Sequence, residues 1–281
     1  MMRPDSAMTP LLTVADDANG NTLSDPSGKQ YTWDFENRLT QAVVPGTNGG
    51  TTTFKYDPFG RRIQKSGPLG TTNYLYDGPN AMEELDGAGN VLARYTHGTV
   101  VDEPLAELRS GATSYYHADN LGSVTSLTDS TGTVANTYTY DGYGKVSAST
   151  GTLTNPFRFN GHEFDSETQL HFYRARYYDQ SVGRFISEDP FGFSGSNDFY
   201  AYVDNSPTNL IDPLAYRPRC QDHRLHSRTQ TYSITTAWRG GWESIAPGFS
   251  PAIRTHLRTR SCRSLAARRS PVIKTQIAKS E

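Results

Sequence analysis

Residues 54–63, FKYDPFGRRI, carry the pattern that decides how this chain is read. Phe54 and Tyr56 flank a single residue, Asp57 follows, and Gly60 precedes a basic and then an apolar residue. In a strand, side chains alternate between faces, so both rings share one face and Lys55 takes the other. An Asp at this position caps a turn through its side chain, and the Gly supplies the positive φ the turn demands. A return strand follows. The same unit recurs at Tyr31-Thr32-Trp33-Asp34, Tyr74-Leu75-Tyr76-Asp77 and Tyr138-Thr139-Tyr140-Asp141, with a degenerate copy at Tyr115-Tyr116-His117-Ala118-Asp119. Asp34 and Asp57, Asp57 and Asp77, and Asp119 and Asp141 are 23, 20 and 22 residues apart. Such a spacing suits a hairpin with its connection. Gly-containing turns at 17–20, 86–89 and 129–132 open the complementary hairpins.

The fold class is therefore all-β, with antiparallel hairpins forming a curved open sheet in which the ring pairs of successive units stack on each other. About five units are too few to close a shell, which leaves exposed edges on the N-terminal side. The 281 residues are 35% hydrophobic and 20% charged, enough for one large or two ordinary domains. The 17 Tyr and 25 Gly favour strands and tight turns. No run approaches the roughly 20 apolar residues needed to span a bilayer. Residues 1–14 read as a disordered N-terminus without a secretory signal, their short apolar run being broken by Pro10.

Charge divides the chain. Residues 1–215 hold 14 Lys and Arg against 26 Asp and Glu, a net −12, whereas residues 216–281 hold 13 against 3, a net +10. Both cysteines, Cys220 and Cys262, fall in the second part.

Toward the C-terminus a series of motifs appears in fixed order: Gly161-His-Glu-Phe164, Tyr173-Arg-Ala-Arg-Tyr-Tyr-Asp179, Gly183-Arg-Phe-Ile186, Asp189-Pro-Phe-Gly192, Asn197-Asp-Phe-Tyr-Ala-Tyr202, Asn205-Ser-Pro207 and Asp212-Pro-Leu214. Together with the Tyr-x-Tyr-Asp units, they resemble the YD repeats and repeat-associated core domain of the Rhs (rearrangement hot spot) family. The resemblance runs from about residue 15 to 215. It divides the chain into YD-repeat hairpins at 15–115, a core domain at 116–215, and a variable basic tail at 216–281.

The resemblance implies a β-shell whose core domain closes it like a plug. It also implies that the core cuts its own chain near the second Asp-Pro and frees a C-terminal toxin. The acid pair falls on Asp189 and Asp212 and a supporting arginine on Arg176. Neighbouring carboxylates cannot both ionise cheaply, so one activates water while the other donates a proton to the scissile carbonyl. An arginine fork holds one carboxylate ionised or steadies the oxyanion. The same residues have a plainer reading, in which both aspartates cap turns and Arg176 stacks among tyrosines. The family motif has Gly where Ala215 stands, so strain or a misplaced bond is expected there.

No cofactor or metal is called for: His117, His162 and His171 are far apart in sequence with no Cys nearby. The tail, with 11 Arg and 2 Lys, has two readings. One is a nucleic-acid-directed toxin using His223, His226 or His256. The other is a disordered or frame-shifted segment. The partners implied are the remainder of the Rhs shell, a secretion-system component and an immunity protein, with export from the cytoplasm to the outside or the cell surface. A second function class is a non-catalytic module for adhesion, its Tyr-rich faces stacking on carbohydrate.

Overall fold

The computed structural model describes residues 14–47, 49–192 and 198–216. The expectations for residues 1–13 and for the tail from 217 onward lie outside the described residues. Fourteen strands form one antiparallel sheet in simple sequence order, with no pairing between first and last. The first seven are β1 (Ala15–Asp16), β2 (Thr22–Ser24), β3 (Gln30–Trp33), β4 (Leu39–Val44), β5 (Gly50–Tyr56), β6 (Arg62–Gly67) and β7 (Gly70–Asp77). The rest are β8 (Asn80–Leu85), β9 (Val91–His97), β10 (Pro104–Arg109), β11 (Ala112–Ala118), β12 (Val124–Asp129), β13 (Val134–Tyr140) and β14 (Val146–Thr150). A second sheet joins β15 (Glu163–Asp165), β16 (Leu170–Tyr173), β17 (Arg176–Asp179) and β18 (Arg184–Phe185). The line between residues 115 and 116 falls inside β11; the change of architecture comes after Thr150.

One turn builds the large sheet. At Asp57 the carboxylate Oδ1 accepts the N–H of Phe59 at 2.9 Å and of Arg61 at 3.0 Å, and the Gly60 N–H returns to the Asp57 carbonyl at 3.0 Å. Gly60 has φ +81° with open space around it, so backbone conformation alone selects glycine. The same three bonds recur at Asp17, Asp25, Asp34, Asp86, Asp119, Asp129 and Asp141. At Asp34 the positive φ falls on Asn37 (+59°), which tolerates it better than other side chains.

The rings point inward, as alternation requires: Tyr31, Phe54, Tyr74, Tyr116 and Tyr138 are buried, and Tyr95 with His97 makes a further copy. Successive pairs, however, do not stack on each other. The aromatic strands β3, β5 and β7 are separated by β4 and β6, which puts equivalent rings about 10 Å apart. Ring contacts need roughly 4.5–7 Å. The gap is filled by Leu39 and Ala42 from β4 and by arginines, with Arg38 over Tyr56 at 5.2 Å and Arg62 over both Phe54 (5.6 Å) and Tyr74 (5.1 Å).

What links the units is a hydrogen bond. The second aromatic of a unit donates to the carbonyl of the buried residue that opens the return strand of the preceding unit: Trp33 to Thr22 (2.8 Å), Tyr56 to Leu39 (2.7 Å), Tyr76 to Arg62 (2.9 Å) and Tyr140 to Val124 (2.8 Å). The tyrosine hydroxyl thus explains Tyr rather than Phe at this position. Tyr56→Phe and Tyr76→Phe are each expected to cost about 1 kcal/mol, read as a lower denaturation midpoint at unchanged slope.

The small sheet and its loops pack against the inner face. Leu170, Phe172, Tyr177 and Ile186 share one core with Tyr31, Leu39 and Phe54, while Phe157 joins Tyr95, Tyr116 and Tyr138. A third core of Phe159, Tyr173, Tyr178, Phe185, Tyr202, Val203 and Ala215 lies within the C-terminal region itself. Tyr31, Phe54, Tyr74 and Tyr138 are thereby enclosed, while their partners Trp33, Tyr56, Tyr76 and Tyr140 stay half-buried.

Candidate active site

Arg176 opens β17 immediately after the tight turn from β16, and its side chain is buried beneath the third core. Its guanidinium carbon lies 3.6 Å from the centre of the Phe185 ring, a stacking contact that fixes the plane of the fork. Each edge of the fork then meets an acceptor. Nε donates to the Ala215 carbonyl at 2.5 Å and Nη1 to the Phe199 carbonyl at 2.9 Å. Nη2 lies 3.3 Å from Asp189 Oδ2 and 3.7 Å from Asp212 Oδ2. Residues 176, 189 and 212 therefore meet around one nitrogen, all three buried.

Asp189 also opens a turn. Its Oδ1 accepts the Phe191 N–H at 2.8 Å, and its carbonyl accepts the Gly192 N–H at 2.8 Å. Its own N–H donates to the Phe199 carbonyl at 3.0 Å, the carbonyl that Arg176 also holds. Turn-forming and arginine-facing are thus done by different oxygens of one carboxylate. Asp212 accepts the Ala215 N–H at its backbone carbonyl, 3.4 Å away.

Ala215 takes φ +54°, the left-handed conformation that glycine would adopt freely. For an L-residue this costs roughly 1–2 kcal/mol. The methyl is fully buried in the third core, which returns about 0.8 kcal/mol. The substitution is accommodated without moving the backbone out of the glycine-type conformation. Beyond it, the Tyr216 ring rests on Phe191, two residues after Asp189, at 5.0 Å.

The histidines are occupied elsewhere. His162 stacks on Tyr173 at 3.5 Å, and burial holds its ring well below the ordinary value, so it is neutral. His171 bonds Gln180 at 3.1 Å, and burial pushes it down to about 4. His117 bonds Thr128 on the exposed face at 3.0 Å. Among the described residues no group of three or more His, Cys, Asp and Glu is arranged to hold a metal ion. No helix among them is long and apolar enough to cross a membrane.

Two contributors escape a sequence reading. Phe185 lies in the Gly183-Arg-Phe-Ile186 motif, but nothing in spacing says its ring will carry Arg176. Phe199 contributes only a carbonyl, and a carbonyl leaves no mark in sequence.

The family model Teneurin YD-shell matches residues 13–210. The tRNA(Glu)-specific nuclease WapA of Bacillus subtilis subsp. natto (strain BEST195) is 38% identical over 250 residues, covering 84% of this chain and 10% of the relative. Double-stranded DNA deaminase toxin A of Burkholderia cenocepacia (strain H111) is 30% identical over 220 residues, covering 66% of this chain and 15% of the relative. This chain therefore spans only a small part of each relative's length. In the crystal structure of TcdB2-TccC3-TEV, a chain 23% identical shares the fold with a TM-score of 0.57, over 71% of this chain and 11% of that one. With the match running through the Asp-turn hairpins and on through the sheet that carries the Tyr-Arg-Ala-Arg motif, the chain is a member of the Rhs/YD-repeat family.

Proposed function

We propose that this chain is the plug-bearing end of an Rhs shell and that it cuts itself once, at the Ala215–Tyr216 peptide bond. The observation that supports this reading is the single guanidinium that reaches both aspartates and the Ala215 carbonyl. In the proposed reaction one aspartate is ionised and draws a proton from water, and the other is protonated and donates to the scissile group. Water adds to the Ala215 carbonyl carbon, the C–N bond breaks, and the proton passes to the departing Tyr216 amine. The fork at Arg176 carries the negative charge that develops on the carbonyl oxygen. The product amine begins the basic tail, which on this reading is the cargo, with the rest of the shell, a delivery component and an immunity protein as partners.

Intact mass of the purified full chain tests it. The expected result is a fragment ending at Ala215 and a second beginning at Tyr216. A single species of 31.1 kDa that persists through prolonged incubation overturns the proposal.

A further inference from the structure

Two residues before Arg176, in the turn between β16 and β17, Arg174 takes φ +61° and extends its guanidinium across three other chain segments. Nη1 donates to the Pro213 carbonyl at 2.5 Å. Nη1 and Nη2 together grip the Asp102 carboxylate, at 3.0 and 2.5 Å. Nε reaches the Pro79 carbonyl in the turn between β7 and β8 at 3.3 Å. Asp102 stands in the β9–β10 connection with φ +65°, its side chain one-tenth exposed. That connection is seated closely: a Cβ on Gly161 would lie 2.1 Å from the Asp102 carbonyl oxygen.

We propose that Arg174, held by Asp102, is a positioning residue for the hinge: it fixes the Pro213 carbonyl so that the Ala215–Tyr216 bond is presented to Arg176 and the two aspartates. This rests on the self-cutting reading above. The geometry has its own logic. Arg174 and Arg176 flank Ala175, and the carbonyls they hold, of Pro213 and Ala215, flank Leu214. One short turn therefore grips the same segment at two carbonyls, those of residues 213 and 215. The outer grip is anchored to the large sheet through Asp102 and Pro79, and the inner one to the acid pair. A bidentate arginine–carboxylate pair sets orientation as well as energy.

The anchor titrates. Burial raises the Asp102 carboxyl to about 6, even though Arg174 pulls it down, and Glu163 adds to the rise. The other groups around this site are His162, 3.6 Å from Asp102 and held neutral by burial, and His97, also lowered by burial. Above about pH 6 the ionised carboxylate holds the fork, and below it the charged acceptor is lost. The stability sign is opposite. Because the folded value lies above the unfolded one, protonation favours the fold, and this contribution fades as pH rises through about 6.

The test uses the full chain in an Asp189→Asn background, where no cut complicates the reading, and follows amide exchange by mass spectrometry. Arg174→Gln is expected to raise exchange in a peptide covering residues 212–216 about tenfold at near-neutral pH, with a peptide covering 54–63 unchanged as the folding control. Wild-type Arg174 should show excess exchange at 212–216 on lowering the pH from about 7.5 to about 5, and Asp102→Asn should flatten that dependence. With Asp189 restored, Arg174→Gln should slow cutting about tenfold and Arg174→Lys should be intermediate. Unchanged exchange at 212–216 in Arg174→Gln overturns the clamp even if the chain cuts itself. If the wild-type chain stays whole, the self-cutting reading falls, and the exchange result judges the clamp alone.

Discussion

Arg62→Met is expected to destabilise the fold by about 3–5 kcal/mol, among the largest single losses available to this chain. Arg62 is fully buried. One guanidinium nitrogen donates to Asp165 Oδ2 and the other to Glu163 Oε2, each at 2.5 Å, so that it joins β6 of the large sheet to β15 of the small one. The rings of Phe172 (4.4 Å), Tyr74 (5.1 Å) and Phe54 (5.6 Å) cover its faces. Burial alone would raise Asp165, but Arg62 and then Lys65 outweigh it and hold the carboxyl below its ordinary range. At Glu163 burial wins over Arg62, and the carboxyl is raised. Methionine keeps the bulk and the ring contacts but leaves two buried carboxylates without the charge between them. Lys65, 3.1 Å from Asp165, softens the loss. Adding Glu163→Gln and Asp165→Asn should recover a large part of it, since a neutral amide costs less to bury without a cation than a carboxylate does. Urea denaturation of the single and triple variants measures both. A single variant with the wild-type midpoint would show that the small sheet is seated by its apolar core alone.

Asp189→Asn and Asp212→Asn should each slow self-cutting by about 10²–10⁴-fold, the range that general acid–base groups supply. Asparagine is the informative replacement because it preserves the turn: its side-chain oxygen accepts the Phe191 N–H as the aspartate Oδ1 does. Loss of the cut would then trace to the missing charge and proton. The double variant should be little slower than either single one, because two groups that act as a unit do not add. Time courses of intact mass, alongside thermal melts, give the answer. Cutting at the wild-type rate in either variant would reduce that aspartate to a turn former and leave Arg176 as a structural clasp on Ala215.

Much of the fold is legible in the chain because it is local. A Tyr-x-Tyr-Asp unit encodes a strand by its period of two and a turn by Asp and Gly, and eight such Asp turns repeat one set of hydrogen bonds. Inward rings, outward middle residues and an open edge follow from that alone. Tertiary structure decided the rest. Residues 62 and 124 occupy equivalent places five positions after a turn aspartate, yet Val124 meets apolar neighbours whereas Arg62 meets two carboxylates from about 100 residues away. Ring pairs of successive units are kept apart by an intervening strand, a distance that no period within one strand reveals.

The acid pair shows the same division. Its residue types were readable from the motif, and their meeting with Arg176 depended on Phe185 carrying the guanidinium and on the chain returning past Phe199 to Ala215. Short-range backbone geometry is written in consecutive residues. Convergence of separated carboxylates is set by how two sheets pack, and the candidate site belongs to the second of these.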